Sequence, residues 1–111
     1  MPEIEDSRGQ PELEAARLGS DLDRGMDDEA IPAEASADTA RHWIYVYTQL
    51  DNLESHLISE ARNLLPTLSR AAREEAELTN LPLLESQLRR FRHRQRLWQL
   101  RLDELERAGQ A

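Results

Sequence analysis

The sequence predicts an all-α fold, an antiparallel helical hairpin or small three-helix bundle with coiled-coil-like heptad seams, preceded by a disordered acidic N-terminal segment. Two long stretches repeat apolar residues in alternating steps of three and four, which is the spacing of one helix face packed on another. Prolines at positions 66 and 82 separate these stretches. The charge is also divided: residues 1–40 hold twelve carboxylates and three arginines, whereas residues 41–111 hold ten carboxylates and eleven arginines.

The composition limits the chemistry that the chain can perform. Its 111 residues leave room for one small domain. The absence of cysteine excludes disulfides, thiolate zinc sites and a cysteine nucleophile. All fourteen basic residues are arginine, which we attribute to codon usage in a high-G+C genome. The N-terminus lacks the pattern of a signal peptide, and the longest apolar run, residues 43–47, is far shorter than a spanning helix, so we expect a soluble cytoplasmic protein.

Residues 1–37 are expected to form a disordered acidic leader. The segment holds three of the four glycines and no aromatic residue, so it cannot bury enough apolar surface to offset the entropy of ordering. Within it, residues 11–18 have the pattern of one short helix, with a proline at the start and a glycine just past the end. A helix of this length is marginal alone. We regard Leu13, Arg17 and Leu18 as a hypothetical linear motif that folds on a partner, whereas the favoured interpretation is a transient helix without function.

A folded helical domain is predicted over residues 38–109, with its first long helix over residues 39–65. The polar residues just before that helix are good N-cap candidates. Its seam has one polar member, which we interpret as a residue that fixes the register of packing rather than as a catalyst. The seam consists of Trp43, Val46, Leu50, Leu53, Leu57, Glu60 and Leu64.

Prolines divide the rest of this domain. Pro66 either kinks the first helix or begins a new one, because it lacks a backbone donor and crowds the carbonyl four residues earlier. We predict a short helix over residues 66–79 and a second long helix over residues 82–107, with Pro82 in its first turn. The two long helices should pack antiparallel. The seam of the last helix consists of Leu81, Leu84, Leu88, Phe91, Gln95, Trp98, Leu102 and Leu105.

Both long helices carry further apolar residues outside their seams, and stripes this wide suit a helix with two or more neighbours. Either the short helix or another chain must cover them, and two hairpins joined in a four-helix bundle would do so. Tryptophan and tyrosine are enriched in interface hot spots, although burial inside the chain is the alternative. The candidate protein interface is Trp43, Tyr45, Tyr47, Leu97 and Leu100.

The last helix also carries a basic stripe without any acidic residue between positions 87 and 101. Such a stripe is typical of a surface that binds an anionic partner. The favoured interpretation is a bundle face whose arginines pair with glutamates, since residues 41–111 have a net charge of only +1. The acidic leader could also fold over the stripe and shield it. The stripe consists of Arg89, Arg90, Arg92, Arg94, Arg96 and Arg101.

No motif of an enzyme or cofactor site is present in the sequence. We expect no catalytic residue, no cofactor and no metal, since the three histidines are scattered and form no pair of metal-binding motifs. The predicted function is therefore a non-catalytic protein-interaction or adaptor module that acts by helix packing in a homodimer or a larger assembly. The alternative is a nucleic-acid-associated, transcription-linked regulator that uses the arginine stripe. We expect neither a membrane nor a small-molecule partner.

Overall fold

The computed structural model describes residues 22–110, except for the side chain of Gln110, and in this range it contains helices and turns but no β-strand. Three α-helices follow one another as α1 (Ala37–Leu64), α2 (Arg70–Glu75) and α3 (Leu81–Gln110). Short 3-10 turns occupy Pro32–Glu34 and Leu65–Thr67, and a π-helical turn occupies Ala76–Asn80. The predicted all-α class is confirmed for the described part of the chain. No helix there is both long and apolar enough to cross a membrane.

Helix α1 begins and ends at residues that the sequence marks. The Ser36 hydroxyl caps its N-terminus by accepting a hydrogen bond from the Thr39 N–H at 3.2 Å, which satisfies one of the free donors of the first turn. At the other end, Pro66 stands at the start of the 3-10 turn that follows Leu64. The proline therefore ends α1 instead of kinking a longer helix.

Helices α1 and α3 form the predicted antiparallel hairpin. Polar bonds join them along their length: Gln95 Nε2 donates to Thr48 Oγ1 at 2.7 Å, and Arg92 Nε donates to Asp51 Oδ2 at 2.9 Å. Nearer the connection, Arg62 pairs with Glu85. The residues on α1 rise in number as those on α3 fall, which is the signature of antiparallel packing. Gln95, the polar member of the predicted α3 seam, thus contacts α1 directly.

The core lies where the aromatic residues of the two helices meet. The rings of Trp43 and Trp98 are stacked at 6.4 Å between centroids, and those of Tyr47 and Phe91 are 6.1 Å apart. Tyr47 and Trp98 are fully buried. All eight residues of the predicted α3 seam are buried or half-buried.

The predicted seam of α1 packs inward only in its first part, where Trp43 and Leu50 contact the core cluster, and it is wrong beyond Leu50. Leu53, Leu57 and Leu64 are 55%, 42% and 54% exposed, and Glu60 is exposed as well. The helix is turned so that a neighbouring face is inward, and its buried residues are Ala40, Tyr47, Glu54 and Ile58. The physical reason is that aromatic rings bury more area than leucines, so placing Tyr47 against Phe91 decides the rotation.

The three-helix bundle is not formed, because the chain between the long helices does not pack back on them. Helix α2 has no buried residue, and Leu78 is 79% exposed. The predicted stop at residues 79–82 is also wrong, since the π turn leads directly into α3. In that turn the Leu81 N–H donates to the Ala76 carbonyl, five residues back. A widened turn of this kind accommodates Pro82, which cannot donate a hydrogen bond and would crowd a regular α-helical turn.

Residues 22–36, which we name the N-terminal strap, have a defined path along the hairpin, so the predicted disorder is wrong for this part. The strap contains turns and the 3-10 turn at Pro32–Glu34, and Ala35 belongs to the core cluster. Residues 1–21, with the hypothetical motif of Leu13, Arg17 and Leu18, lie outside the described residues.

Candidate interaction surface

The exposed leucines of α1 form one continuous face. We name Val46, Leu50, Leu53, Leu57 and Leu64 the α1 stripe. Successive members are three, four or seven residues apart, so they lie above one another on the helix. Val46 and Leu50 are half-buried, whereas the three leucines beyond them are exposed. The heptad pattern of α1 thus packs on the core up to Leu50, and beyond Leu50 it faces outward within the described chain.

The stripe carries little charge of its own. Between Arg41 and Arg62, α1 has three acidic residues and no basic residue except histidines. Asp51 is paired with Arg92, whose hydrogen bond holds the pKa of this carboxyl below its usual value. Glu54 is buried, so Glu60 is the one carboxylate exposed within the stripe.

Glu54 borders the stripe and lacks a full set of hydrogen-bond partners. It is 7% exposed and lies one helical turn from Leu50 and Leu57. Among the described residues, neither its Oε1 nor the buried Nε of Arg90 has a hydrogen-bond partner. Burial raises the pKa of Glu54, and the positive charge of Arg90 offsets part of that rise. Unsatisfied buried polar atoms are rare in folded proteins, and ordered water is a common partner for them.

The strap is held by the carboxylate of Glu29, whose side chain is 1% exposed. Its Oε1 accepts from the Tyr47 hydroxyl and from the Met26 N–H at 2.9 Å. Its Oε2 accepts from Trp98 Nε1 at 2.6 Å and from Arg94, whose Nε lies at 3.0 Å and whose Nη2 also donates. Five donors converge on one carboxylate, so a buried charge is paired and fully hydrogen-bonded.

The network shifts the pKa values of its members in opposite directions. Burial alone would raise the pKa of Glu29, but the hydrogen bonds from Tyr47, Arg94, Met26 and Trp98 outweigh burial, so its pKa lies below the usual value. Burial raises the pKa of Tyr47 to about 12, and its bond to the Glu29 carboxylate adds to that rise. Both shifts favour the protonation states in which the tyrosine donates and the carboxylate accepts.

A glycine allows the strap to approach this carboxylate. A Cβ on Gly25 would lie 2.9 Å from Glu29 Oε1 and 3.3 Å from Arg94 Nη2. The first distance is shorter than a van der Waals contact permits, and the carboxylate cannot move without losing hydrogen bonds. Position 25 is therefore restricted by space, independently of backbone conformation.

The predicted arginine stripe is largely used inside the fold. Arg94 binds Glu29, Arg92 binds Asp51, and Arg101 donates from Nη2 to the Ala35 carbonyl at 3.0 Å. Arg90, which the sequence places outward, is half-buried with its guanidinium 5.2 Å from the Phe91 ring centroid. Arg89 and Arg96 remain exposed, and within the described chain neither has a carboxylate partner.

The candidate aromatic interface is not one surface. Trp43 stacks on Trp98, and Tyr47 is fully buried, so both belong to the core and not to an open interface. Tyr45 is 64% exposed on α1. Leu97 and Leu100 line a shallow groove of α3 beside the strap, together with Ile31, Pro32 and Ala33.

Glu29 is the important residue that the sequence does not reveal. It lies in an acidic segment among many carboxylates, and no spacing links it to an arginine 65 residues later. The sequence contains one indirect signal for this pairing. No acidic residue lies near Arg94 in α3, so another segment, such as the leader, must supply its counter-charge. Among the described residues, no group of three or more histidine, aspartate or glutamate side chains is arranged to hold a metal ion.

Comparison with known proteins gives no family assignment. No protein-family model, no curated protein and no solved structure matches the chain. The described residues by themselves define the class of structure. It is a two-helix hairpin with an N-terminal strap packed against it and one leucine face of α1 exposed to solvent.

Proposed function

We propose that the protein is a non-catalytic interaction module that binds a helical partner through the α1 stripe. The observation that supports this function is the exposure of Leu53, Leu57 and Leu64 at heptad spacing on one helix. Single exposed leucines are ordinary, but a continuous apolar face of this kind is typical of a protein–protein contact. Leucines at alternating steps of three and four are the pattern that a second helix recognises.

The arrangement of the hairpin suits this role. The inward face of α1 is already occupied by α3, and α3 and the strap together satisfy the aromatic core. The stripe can therefore bind a partner without disturbing the fold. Burying each exposed leucine would contribute roughly 25 cal/mol per Å² of apolar surface removed from water.

Affinity purification from the source cell tests the function, with mass spectrometry and nucleic-acid detection on one eluate. We expect the wild-type chain to retain a protein that is lost with Leu53→Asp. Leu78→Asp is the matched control, because Leu78 is 79% exposed but lies outside α1. Equal retention by Leu53→Asp and the wild type would refute the proposed surface.

The alternative function is nucleic-acid binding through the arginines of α3. Only Arg89 and Arg96 support it, since three of the other four are used within the fold. A salt titration separates the two functions. Binding to duplex DNA should weaken steeply with salt, with log K falling by about 0.9 per phosphate neutralised against log salt concentration. Helix packing through leucines should respond little.

A further inference from the structure

We propose that the partner of the α1 stripe is a second copy of this chain, bound with the two α1 helices antiparallel. This inference rests on the proposed function and specifies its partner. Two features of the described residues support it: the charge of the stripe and the spacing of its members.

The charge of the stripe favours self-association. The whole chain has a formal net charge of −8, which would oppose the approach of two copies through most surfaces. The stripe is the exception, because Glu60 is its one exposed carboxylate and no lysine or arginine interrupts it. An apolar face without a charge pattern does not select an oppositely charged partner, and it can meet its own copy without repulsion.

The position of Glu60 decides the orientation. In a parallel pair, Glu60 of one copy would face Glu60 of the other, and two like charges would be forced together in an apolar seam. In an antiparallel pair centred at Ser55, Val46 lies opposite Leu64 and Leu53 lies opposite Leu57. Glu60 is then separated from its copy and lies near Leu50, at the edge of the seam. The contact spans about 27 Å at 1.5 Å per residue.

The molar mass in solution tests the identity of the partner. Analytical ultracentrifugation of the full chain should show a dimer for the wild type and for the control Leu78→Asp. Leu53→Asp should weaken the dimer roughly a hundredfold or more, because two-fold symmetry places the new carboxylate in the contact twice. Circular dichroism should show both variants folded, since the two leucines are exposed in the hairpin. A wild-type monomer up to about 1 mM would overturn the inference.

Cysteine cross-linking tests the orientation, and the absence of native cysteine makes it unambiguous. Chains with Leu53→Cys and chains with Leu57→Cys are mixed and oxidised in air. The antiparallel pair predicts the mixed disulfide in excess of its statistical share, because positions 53 and 57 face each other at disulfide distance. An excess of the 53–53 disulfide would show a parallel pair and overturn the inference.

Failure of this inference is distinguishable from failure of the proposed function. If the wild type is monomeric while Leu53→Asp still abolishes capture of another protein, the stripe binds a different chain and only the second-copy inference is wrong. If Leu53→Asp changes neither the molar mass nor the captured protein, both proposals are wrong.

Discussion

At the scale of single residues, the most consequential side chain is Glu29. It supplies the negative charge for Arg94, whose side chain is only 8% exposed, and it accepts from Tyr47 and Trp98 in the core. Removing one partner of a buried ion pair leaves the other charge uncompensated, which costs far more than the pair contributes when both members are present.

Glu29→Gln is therefore expected to lower the free energy of unfolding by about 3 to 5 kcal/mol in urea denaturation. Glu34→Gln is the matched control, because Glu34 is an exposed residue of the same strap, and it should change stability by less than about 0.5 kcal/mol. Adding Arg94→Met to Glu29→Gln should recover part of the loss, since no unpaired charge remains. Equal effects of the two glutamine variants would contradict the role of Glu29.

Gly25 offers a second test of the same network. Gly25→Ala adds one methyl group that would meet the Glu29 carboxylate at 2.9 Å. We expect a loss of about 1 to 3 kcal/mol, because the carboxylate must shift away from its donors. Thermal unfolding measures the change. The exposed Gly109, with nothing within 4 Å of an added Cβ, is the control, and Gly109→Ala in α3 should not destabilise the protein.

At the scale of elements, the strap behaves as part of the folded unit although its composition resembles that of a disordered tail. The side chain of Glu29 binds the strap to the hairpin. The backbone of the strap also binds α3, because the Asp23 carbonyl accepts from Arg94 and the Ala35 carbonyl accepts from Arg101. A segment with few apolar residues is thus ordered by hydrogen bonds to arginines of α3. Hydrophobic composition alone therefore underestimates how ordered such a segment is.

Deleting residues 1–35 should destabilise the hairpin by about 3 kcal/mol, since Tyr47 and Trp98 would lose their hydrogen bonds to Glu29 and the core would lose its cover by Ala35. The deletion retains Ser36, so the N-cap of α1 is unchanged. Deleting residues 1–21 is the control, and it should leave the urea midpoint close to that of the full chain. A stable hairpin after the longer deletion would show that the strap does not contribute to folding.

At the scale of the whole molecule, stability should depend on pH at both ends of the range. The lowered pKa values of Glu29 and Asp51 mean that their contributions are present above their usual values, 4.5 and 3.8, and are lost as the pH falls through the folded-state values. The raised pKa of Glu54 has the opposite effect, so it reduces the loss of stability as the pH falls. The raised pKa of Tyr47 means that its contribution is present below pH 10 and is lost as the pH rises toward about 12.

The predicted loss of stability at alkaline pH has a specific test. Urea unfolding of the wild type should show stability falling between pH 10 and about 12, and Tyr47→Phe should abolish most of that fall. Tyr45→Phe is the matched control, because Tyr45 is 64% exposed two positions away on the same helix. If Tyr47→Phe lost as much stability at alkaline pH as the wild type, the loss would belong to other groups.

The sequence by itself determined the helical class, the antiparallel pairing of α1 and α3, and the inward face of α3. Local spacing suffices for these features, since α3 has one dominant apolar face and Ser36 and Pro66 mark the ends of α1. Only the tertiary structure decided which face of α1 turns inward, because that helix carries two apolar faces and nothing local distinguishes them. The burial of Tyr47 and the long-range bond between Glu29 and Arg94 determine which face of α1 is inward. They leave its leucine face exposed to solvent.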